Sequence, residues 1–535
     1  MGGARGFDRK AVAGRFPAPE RRVETLVIGA GPAGLAAAIE AARGGAGVLL
    51  VDENPVGPGL MGLDTPLWYG GRYANLVRNR TAMVEQMLAA NPAMGDAFEA
   101  GVEIELGVSC WGAFVGGPGL ASLPSPMAGL ADEQRSWMVG FERLIIAAGA
   151  RDVAFSFEGW DQPGVMGARA FQALIQTYGA FEGRRLAILG SGELALRIAL
   201  LALSQGLEIA ALIEVQETVQ GPGDLAEKVV GAGVDILVGC VPLRAEGGPE
   251  GVEGLAVRRL DGAEERTLIC DTVVEAISLT PVVELLDVAG AALCMRPILG
   301  GYAPASPDGS ATSLPEVFIA GDVVGVPGGA SLSPRAAAAS GRRAGQAALA
   351  SLGRTASVDP PAPAVSSFDA VAYQQAWMRT LMATSAASVV ICQCEAVTRE
   401  ALLAVRQPAY LGPPSPAMAQ RDLGRLLEDG PANPDQIKRL TRACMGPCQA
   451  RRCREQVAIA LACASNQGAE SLPLAGYRAP VRPLPLSVLA DWREGAAMAE
   501  DWDVWFGIPT QWVPYADIGT EREGLYGDLL GEGAS

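Results

Sequence analysis

The chain has 535 residues, 49% of them hydrophobic, and a formal net charge of −17. That length predicts roughly three or four domains, the apolar content excludes global disorder, and the acidic balance argues against nucleic acid or an anionic membrane as partner. Ten cysteines and no histidine, behind an N-terminus (MGGARGFDRKAVAGRFPAPERR) without an apolar signal core, point to a metal or redox centre rather than a disulfide framework. No run of about 18 apolar residues occurs, so no membrane span is predicted and a cytoplasmic location is expected.

In chain order, the first informative stretch is residues 23–53, VETLVIGAGPAGLAAAIEAARGGAGVLLVDE. Leu26, Val27 and Ile28 read as a buried parallel strand. The strand runs into the loop Gly29-Ala30-Gly31-Pro32-Ala33-Gly34 and an alanine-rich helix, and a second apolar run, Val48 to Val51, ends at Asp52-Glu53. This is the dinucleotide fingerprint in the context it requires. Gly29 permits the tight turn, Gly31 lets the backbone approach a pyrophosphate at the helix N-terminus, and Gly34 lets helix pack on strand. The acid ending the second strand is placed to bind ribose hydroxyls.

Residues 142–151, ERLIIAAGAR, are a further strand candidate that turns at Gly149. Residues 183–215 then repeat the nucleotide pattern: strand, Gly190-Ser191-Gly192, helix, strand, Glu214. Here Ala195 replaces the third glycine, and Glu193 puts a carboxylate where a phosphate would approach. The readings are a working NAD(P)H site or a retained fold with an empty or altered pocket. Cys240, Cys270 and Cys294 stand alone in sequence and are expected to be buried small hydrophobes. With Cys110 the only earlier cysteine, thiol–disulfide chemistry beside the first fold is not expected. Further on come LPEVFIAGDVVGV (314–326), with Gly321-Asp322, and the helical AAAASGRRAGQAALASL (336–352).

A proline-rich linker, SVDPPAPAVSS (357–367), precedes a separate unit of about residues 385–465. ICQCEAV carries Cys392 and Cys394, and TRACMGPCQARRC carries Cys444, Cys448 and Cys453. Thr398 is a candidate cap for a helix beginning REALLAV. A loop is expected through about residue 435, and REQVAIALACA reads as an apolar helix with Cys463 on its core face. Both cysteine groups then sit in turns at helix ends. Sulfur-only ligation suits zinc or an iron–sulfur cluster. C-x-C and C-x4-C spacings, with 53 residues between Cys394 and Cys448, are atypical of the short-spaced zinc pattern. Arg451, Arg452 and Arg454 either offset thiolate charge or form a solvated face.

These motifs carry resemblances. GAGPAGLAAA, ERLIIAAGAR and LPEVFIAGDVVGV resemble the FAD-binding segments of two-dinucleotide-fold flavoproteins, the glutathione-reductase-like superfamily. This implies an α/β chain with two Rossmann-like domains and FAD held by Gly29, Gly31, Pro32, Ala33, Gly34, Gly149 and Gly321. Asp322 would bind the ribityl chain, and Glu53 the ribose, with Asp52 as second choice. The cysteine pattern is similar to the small, mainly helical 2Fe–2S domain of the bacterioferritin-associated ferredoxin type. That implies Cys392, Cys394, Cys448 and Cys453 as ligands. This type has glycine, in a TRxGMGPCQGR-like motif, where the chain has Cys444; Cys444 is thus a fifth candidate, and a swap with Cys448 stays open. The expected layout is a split FAD domain (20–155 and 295–355), a second nucleotide-binding-like domain (156–294), the 2Fe–2S domain (385–465) and a tryptophan-rich tail (466–535).

With EGWDQPGVMGARAFQALI (158–175) and YRAPVRPLPLSVLA (477–490) included, the order of parts over roughly residues 20–490 resembles the larger, A-type subunits of dye-linked amino-acid dehydrogenases. Opine oxidase, hydrogen cyanide synthase and heteromeric proline and hydroxyproline dehydrogenases belong there. The resemblance implies an electron-transferring subunit of an oxidoreductase acting on the CH–NH bond of an amino or imino acid. It also implies a smaller flavoprotein partner with the substrate site, FMN at a subunit interface and a downstream electron acceptor. The alternative is a stand-alone NADH-dependent reductase with Glu214 on the nicotinamide ribose. Two departures stand out. NPVGPGLMGLDTPLWYGG, after Glu53, lacks the usual Pro-Gly-Gly-Gln turn. The tail, with Trp492, Trp502, Trp505 and Trp512, has no counterpart and is expected to pack on the body or on a partner.

Overall fold

A computed structural model describes residues 18–56, 71–115, 125–355 (apart from 263, 307 and 332), 367–490 (apart from 414) and 520–522. The linker up to residue 366, most of the stretch after Glu53 and the four tail tryptophans lie outside the described residues.

The first sheet grows from the apolar runs. Strand β1 (Arg21–Ile28) leads through the glycine loop into helix α1 (Pro32–Arg43), which returns to β2 (Val48–Asp52). With β3 (Glu103–Leu106), β4 (Ser109–Phe114), β5 (Met127–Ala131) and β6 (Ser136–Ile146), the order is β3-β2-β1-β6-β5-β4. Strands β3, β2, β1 and β6 are parallel, and β5 and β4 form an antiparallel meander on the first half of β6. Leu26 pairs with Leu49 on one side and Leu144 on the other, and all three are fully buried. Continuous apolar strands are what a sheet covered on both faces requires.

The second sheet is parallel throughout. Its strands are β7 (Val165–Gly167), β8 (Arg185–Leu189), β9 (Glu208–Ile213), β10 (Ile236–Leu237) and β11 (Thr272–Glu275), in the order β10-β9-β8-β11-β7. Helix α2 (Glu193–Ser204) joins β8 to β9. A three-stranded antiparallel sheet, Cys240–Gly248, Gly251–Arg259 and Glu265–Ile269, is inserted between β10 and β11. The chain then returns to the first sheet, where β12 (Val317–Ile319) pairs with the second half of β6. Helix α3 (Pro334–Ser351) lies against α1 at close range, because a methyl group on Gly341 or Gly345 would collide with the carbonyl oxygens of Ala33 or Ala37.

The cysteine unit begins with α4 (Ala370–Thr384) and a small hairpin, β13 (Val390–Cys392) with β14 (Val397–Thr398). Thr398 caps the next helix, its hydroxyl accepting from Ala401 N at 3.0 Å. The expected long loop instead contains helices Pro416–Ala419 and Leu423–Asp429, capped by Ser415 and Asp422. Helices α5 (Pro434–Thr441) and α6 (Arg454–Ala464) flank the second cysteine turn. Cys392 therefore ends a strand rather than lying in a turn at a helix end; the alternating pattern was too short to read. The expectation for Cys294 is also corrected: it is half-buried and accepts from Arg296 Nε at 3.2 Å, because its strand (Leu293–Arg296) lies in a two-stranded ribbon.

One apolar core joins the second sheet to the cysteine unit, running from Phe155, Phe157 and Trp160 through Trp377 to Ile391 and Val457. Trp160, from the GW-x2-PGVM stretch, donates its indole N–H to Val390 O at 2.8 Å and so pins the hairpin. Among the described residues, no helix is long and apolar enough to cross a membrane.

Candidate functional site

The first glycine loop has a specific role for each glycine. Gly29 has φ +106°, and a side chain on it would strike Ala147 O; a methyl on Gly34 would overlap Gly29 O. Among the described residues nothing lies within 4 Å of where a methyl on Gly31 would stand, so that side of the helix start, with Pro32 as its first residue, is open to a ligand. Gly149 (φ +75°) likewise has no described residue within 4 Å of where a methyl would stand. Gly321 (φ +76°) donates its N–H to Ser340 Oγ at 3.0 Å, and its Cα face abuts the Ala33 methyl; Asp322 follows, half-buried.

Asp52 and Glu53 part ways at the end of β2. Asp52 Oδ2 accepts from Ala30 N in the glycine loop at 2.5 Å, and Oδ1 from Asn54 N at 2.7 Å. Burial raises its pKa. Glu53 points elsewhere and accepts from Arg482 Nε at 2.7 Å, with Arg451 Nη2 at 3.7 Å. Burial alone would raise its pKa, but the two guanidinium groups hold it below the usual range. Behind it, Arg151 forms a fully buried ion pair with Glu284 and reaches Glu455 at 3.2 Å and Tyr477 OH at 3.0 Å. Burial pushes Glu284 upward, but Arg151 and its neighbours outweigh that and bring it down to about 2. Sequence reasoning missed this network, although Tyr477 and Arg482 lie in the YR-x2-VRP stretch that it singled out.

In the second fold, Gly190 (φ +109°) repeats the turn of Gly29. Glu214 is fully buried; its Oε2 accepts from Ser191 N (3.0 Å), Ser191 Oγ (2.7 Å) and Tyr373 OH (2.5 Å). Glu193 is ion-paired with Arg197. No sequence signal marked Tyr373, which comes from α4 beyond the linker.

The structure gathers all five candidate cysteines. Cys453 Sγ lies 3.7 Å from Cys392 Sγ and 3.6 Å from Cys444 Sγ. Cys448 is hydrogen-bonded to Cys394 and Cys453. Backbone N–H groups converge on these sulfurs: those of Cys444 and Glu395 on Cys392, and those of Arg452 and Arg451 on Cys448. Contacts with donor thiols come first, and together with these amides they lower the pKa of Cys392 and Cys448. Cys444 adopts φ +71° and Ala450 φ +65°, left-handed conformations that suit the glycines of the resembled motif. Among the described residues, no three His, Cys, Asp or Glu side chains are grouped as ligands of one metal ion. The arginines form no solvated face. Arg451 and Arg454 are buried, Arg454 stacks on Tyr477 at 4.5 Å, and Arg452 lies 5.6 Å from the Trp160 ring centroid.

Two dinucleotide folds, one with an open glycine loop, define an oxidoreductase of the flavoprotein class. The chain belongs to the pyridine nucleotide-disulphide oxidoreductase family, matched over residues 23–344, a family of FAD-dependent oxidoreductases. It is similar to the A subunit of opine oxidase from Agrobacterium tumefaciens (strain Ach5), 27% identical over 501 residues that span 87% of this chain and 91% of the relative. The HcnB subunit of hydrogen cyanide synthase from Pseudomonas aeruginosa is 26% identical over 498 residues, 86% of this chain and 97% of the relative. A shorter match, 30% over 255 residues, relates 46% of the chain to 24% of the alpha subunit of sarcosine oxidase from Corynebacterium sp. (strain P-1). The crystal structure of L-proline dehydrogenase from P. horikoshii shares the fold, with a TM-score of 0.59 at 20% identity over 89% of this chain and 81% of that one.

Proposed function

We propose that this chain is the electron-transferring flavoprotein and iron–sulfur subunit of a heteromeric dehydrogenase that oxidises the C–N bond of an amino or imino acid. In this reading FAD is held by Gly29, Gly31, Pro32, Ala33, Gly34, Gly149, Gly321 and Asp322. Asp52 takes the ribose in preference to Glu53, because Asp52 is turned to the glycine loop while Glu53 is engaged by Arg482. A 2Fe–2S cluster is held by Cys392, Cys394, Cys448 and Cys453. A smaller flavoprotein carries the substrate site, FMN lies at the interface, and a downstream acceptor takes the electrons.

The observation that carries the reading is the convergence of buried thiols with backbone amides aimed at them. A 2Fe–2S cluster takes two thiolates per iron, so it needs sulfur pairs rather than three ligands around one ion. Two sulfurs on one tetrahedral metal at about 2.3 Å stand roughly 3.8 Å apart, close to the 3.7 Å of Cys392 and Cys453. Amide donors to sulfur are what an anionic cluster requires. The chemistry such groups supply when bound is two-electron acceptance at FAD and one-electron carriage at the cluster. The chain's own residues set the conditions. Gly31 leaves room for the pyrophosphate and the start of α1 faces its charge. Arg451 and Arg454, buried beside Cys453, offset negative charge. Packing of α6 and the hairpin buries Cys392, Cys448 and Cys453, and Cys394 stays half-buried. The relatives' names, which describe the A subunit of opine oxidase and the alpha subunit of sarcosine oxidase, support a role as one part of a larger enzyme.

Anaerobic purification followed by iron, sulfide and EPR analysis tests this. About two irons per chain and a rhombic signal after dithionite are expected; stoichiometric zinc without iron overturns the cluster. The isolated chain should reduce no dye with proline, hydroxyproline, glycine or an opine as donor. Activity with any of them alone overturns the partner assignment.

A further inference from the structure

We propose that Tyr373 fills, from within the chain, the place of a nucleotide ribose in the second dinucleotide fold, and thereby bars NAD(P)H from it. The two folds also differ in what meets the strand-end acid. In the first, the loop amide of Ala30 meets the strand-end acid Asp52, and the space beside Gly31 stays open. In the second, the corresponding amide of Ser191 meets Glu214, but a third group has joined them. Tyr373 OH donates to Glu214 Oε2 at 2.5 Å and accepts from Ser191 N at 3.2 Å. A ribose hydroxyl does the same at such a site: it donates to the strand-end acid beside the glycine loop. Gln216 N donates to the other oxygen, Oε1, at 2.8 Å. With the two Ser191 bonds, Glu214 takes four hydrogen bonds and is fully buried. Three of these bonds end on Oε2, which has two lone pairs, so a ribose hydroxyl finds no place on that oxygen unless Tyr373 leaves.

The closure is anchored. Asp369 caps α4 by accepting from Ala372 N at 2.8 Å. The Tyr373 ring meets Phe368 and Trp377 edge to face, with centroids 5.4 and 6.5 Å away, and Trp377 is fully buried. The same helix holds the cysteine unit: Gln375 Nε2 donates to Gln467 O at 3.3 Å, beyond the end of α6. A nucleotide that displaced Tyr373 would have to lift the helix that seats the cysteine unit on the second sheet. A methyl group on Gly192 would stand 3.7 Å from the tyrosine ring, so the pyrophosphate approach is narrowed too.

Electrons then enter from a protein-borne donor rather than from reduced nicotinamide. That consequence rests on the function proposed above, whereas the closure itself does not. The test titrates the full-length, FAD-loaded chain with ADP-ribose and NADH by calorimetry, with flavin absorbance followed anaerobically. The wild type, and Tyr373→Phe, whose ring still fills the space, should bind neither and keep their flavin colour. Tyr373→Ala should bind ADP-ribose at least about tenfold more tightly than the wild type. A wild type that binds one ADP-ribose in addition to FAD overturns the proposal, as does a folded Tyr373→Ala no better than the wild type. If Tyr373→Ala fails to fold, the wild-type titration still decides. Iron measured on the same samples separates the two ideas, since missing iron counts against the cluster and leaves the closure standing.

Discussion

Arg482 and Glu53, 429 residues apart, form a part-buried ion pair at 2.7 Å that fastens the C-terminal VRP segment to the end of β2. Arg451, from the cysteine turn, approaches the same carboxylate at 3.7 Å. Three parts of the chain thus meet on one acid. Removing Arg482 leaves the half-buried Glu53 with only the more distant cation. Arg482→Ala is expected to cost about 3 kcal/mol, read as a fall in the urea midpoint without a change in slope. Glu53→Gln in the same background should restore part of the loss. Additive effects of the two substitutions would show that the pair is not coupled.

Gly31 and Gly34 separate binding from folding. A methyl on Gly31 meets nothing among the described residues, so Gly31→Ala should fold with stability within about 1 kcal/mol of wild type and yet lose its dinucleotide. A methyl on Gly34 overlaps a backbone oxygen, so Gly34→Ala should yield little folded protein. Visible absorbance of the purified variants checks both; full flavin occupancy in Gly31→Ala would show the site to be elsewhere.

The cysteines are expected to divide. Cys453 touches both Cys392 and Cys444, and Cys453→Ser should remove the EPR signal. Cys444 has a backbone conformation that favours glycine. Cys444→Gly should therefore keep iron and signal, with stability changed by no more than about 1 kcal/mol. Loss of iron in that variant would make Cys444 a required ligand.

Asp152 supplies a pH dependence. Burial pushes its pKa up to about 7, against the hydrogen bond from Arg169 N. Below about pH 4 both folded and unfolded chains hold the proton, and the contribution is neutral. Between about 4 and 7 the unfolded chain releases a proton that the folded chain keeps, so stability falls as pH rises, by roughly 4 kcal/mol in all. Asp152→Asn should flatten unfolding free energy across that window. An unchanged slope would place the titration on another group.

Much of the fold was legible because its signals are local. A strand, a glycine turn with positive φ and a small-residue helix dictate one another over some thirty residues, so both nucleotide folds could be read in outline. So could the five cysteines and the Thr398 cap. The GW-x2-PGVM and YR-x2-VRP stretches were visible as motifs, but their work as joints, Trp160 to Val390 and Arg482 to Glu53, was not.

By itself the sequence determined the order of the units, the glycine geometry of the first loop and the sulfur-only character of the cysteine site. Each depends on residue type and short spacing. Only the tertiary structure decided which acid at the end of β2 faces the loop. Successive residues of a strand point to opposite sides, and what covers each side, Ala30 or Arg482, comes from elsewhere in the chain. The same holds for the cysteine arginines, of which Arg451 and Arg454 are buried and Arg452 lies half-buried over Trp160. It holds most clearly for the second loop. Its own residues left open a working nucleotide site or an altered pocket, and the tyrosine that meets Glu214 comes from beyond the linker, 159 positions away, because a buried carboxylate must find donors within the fold.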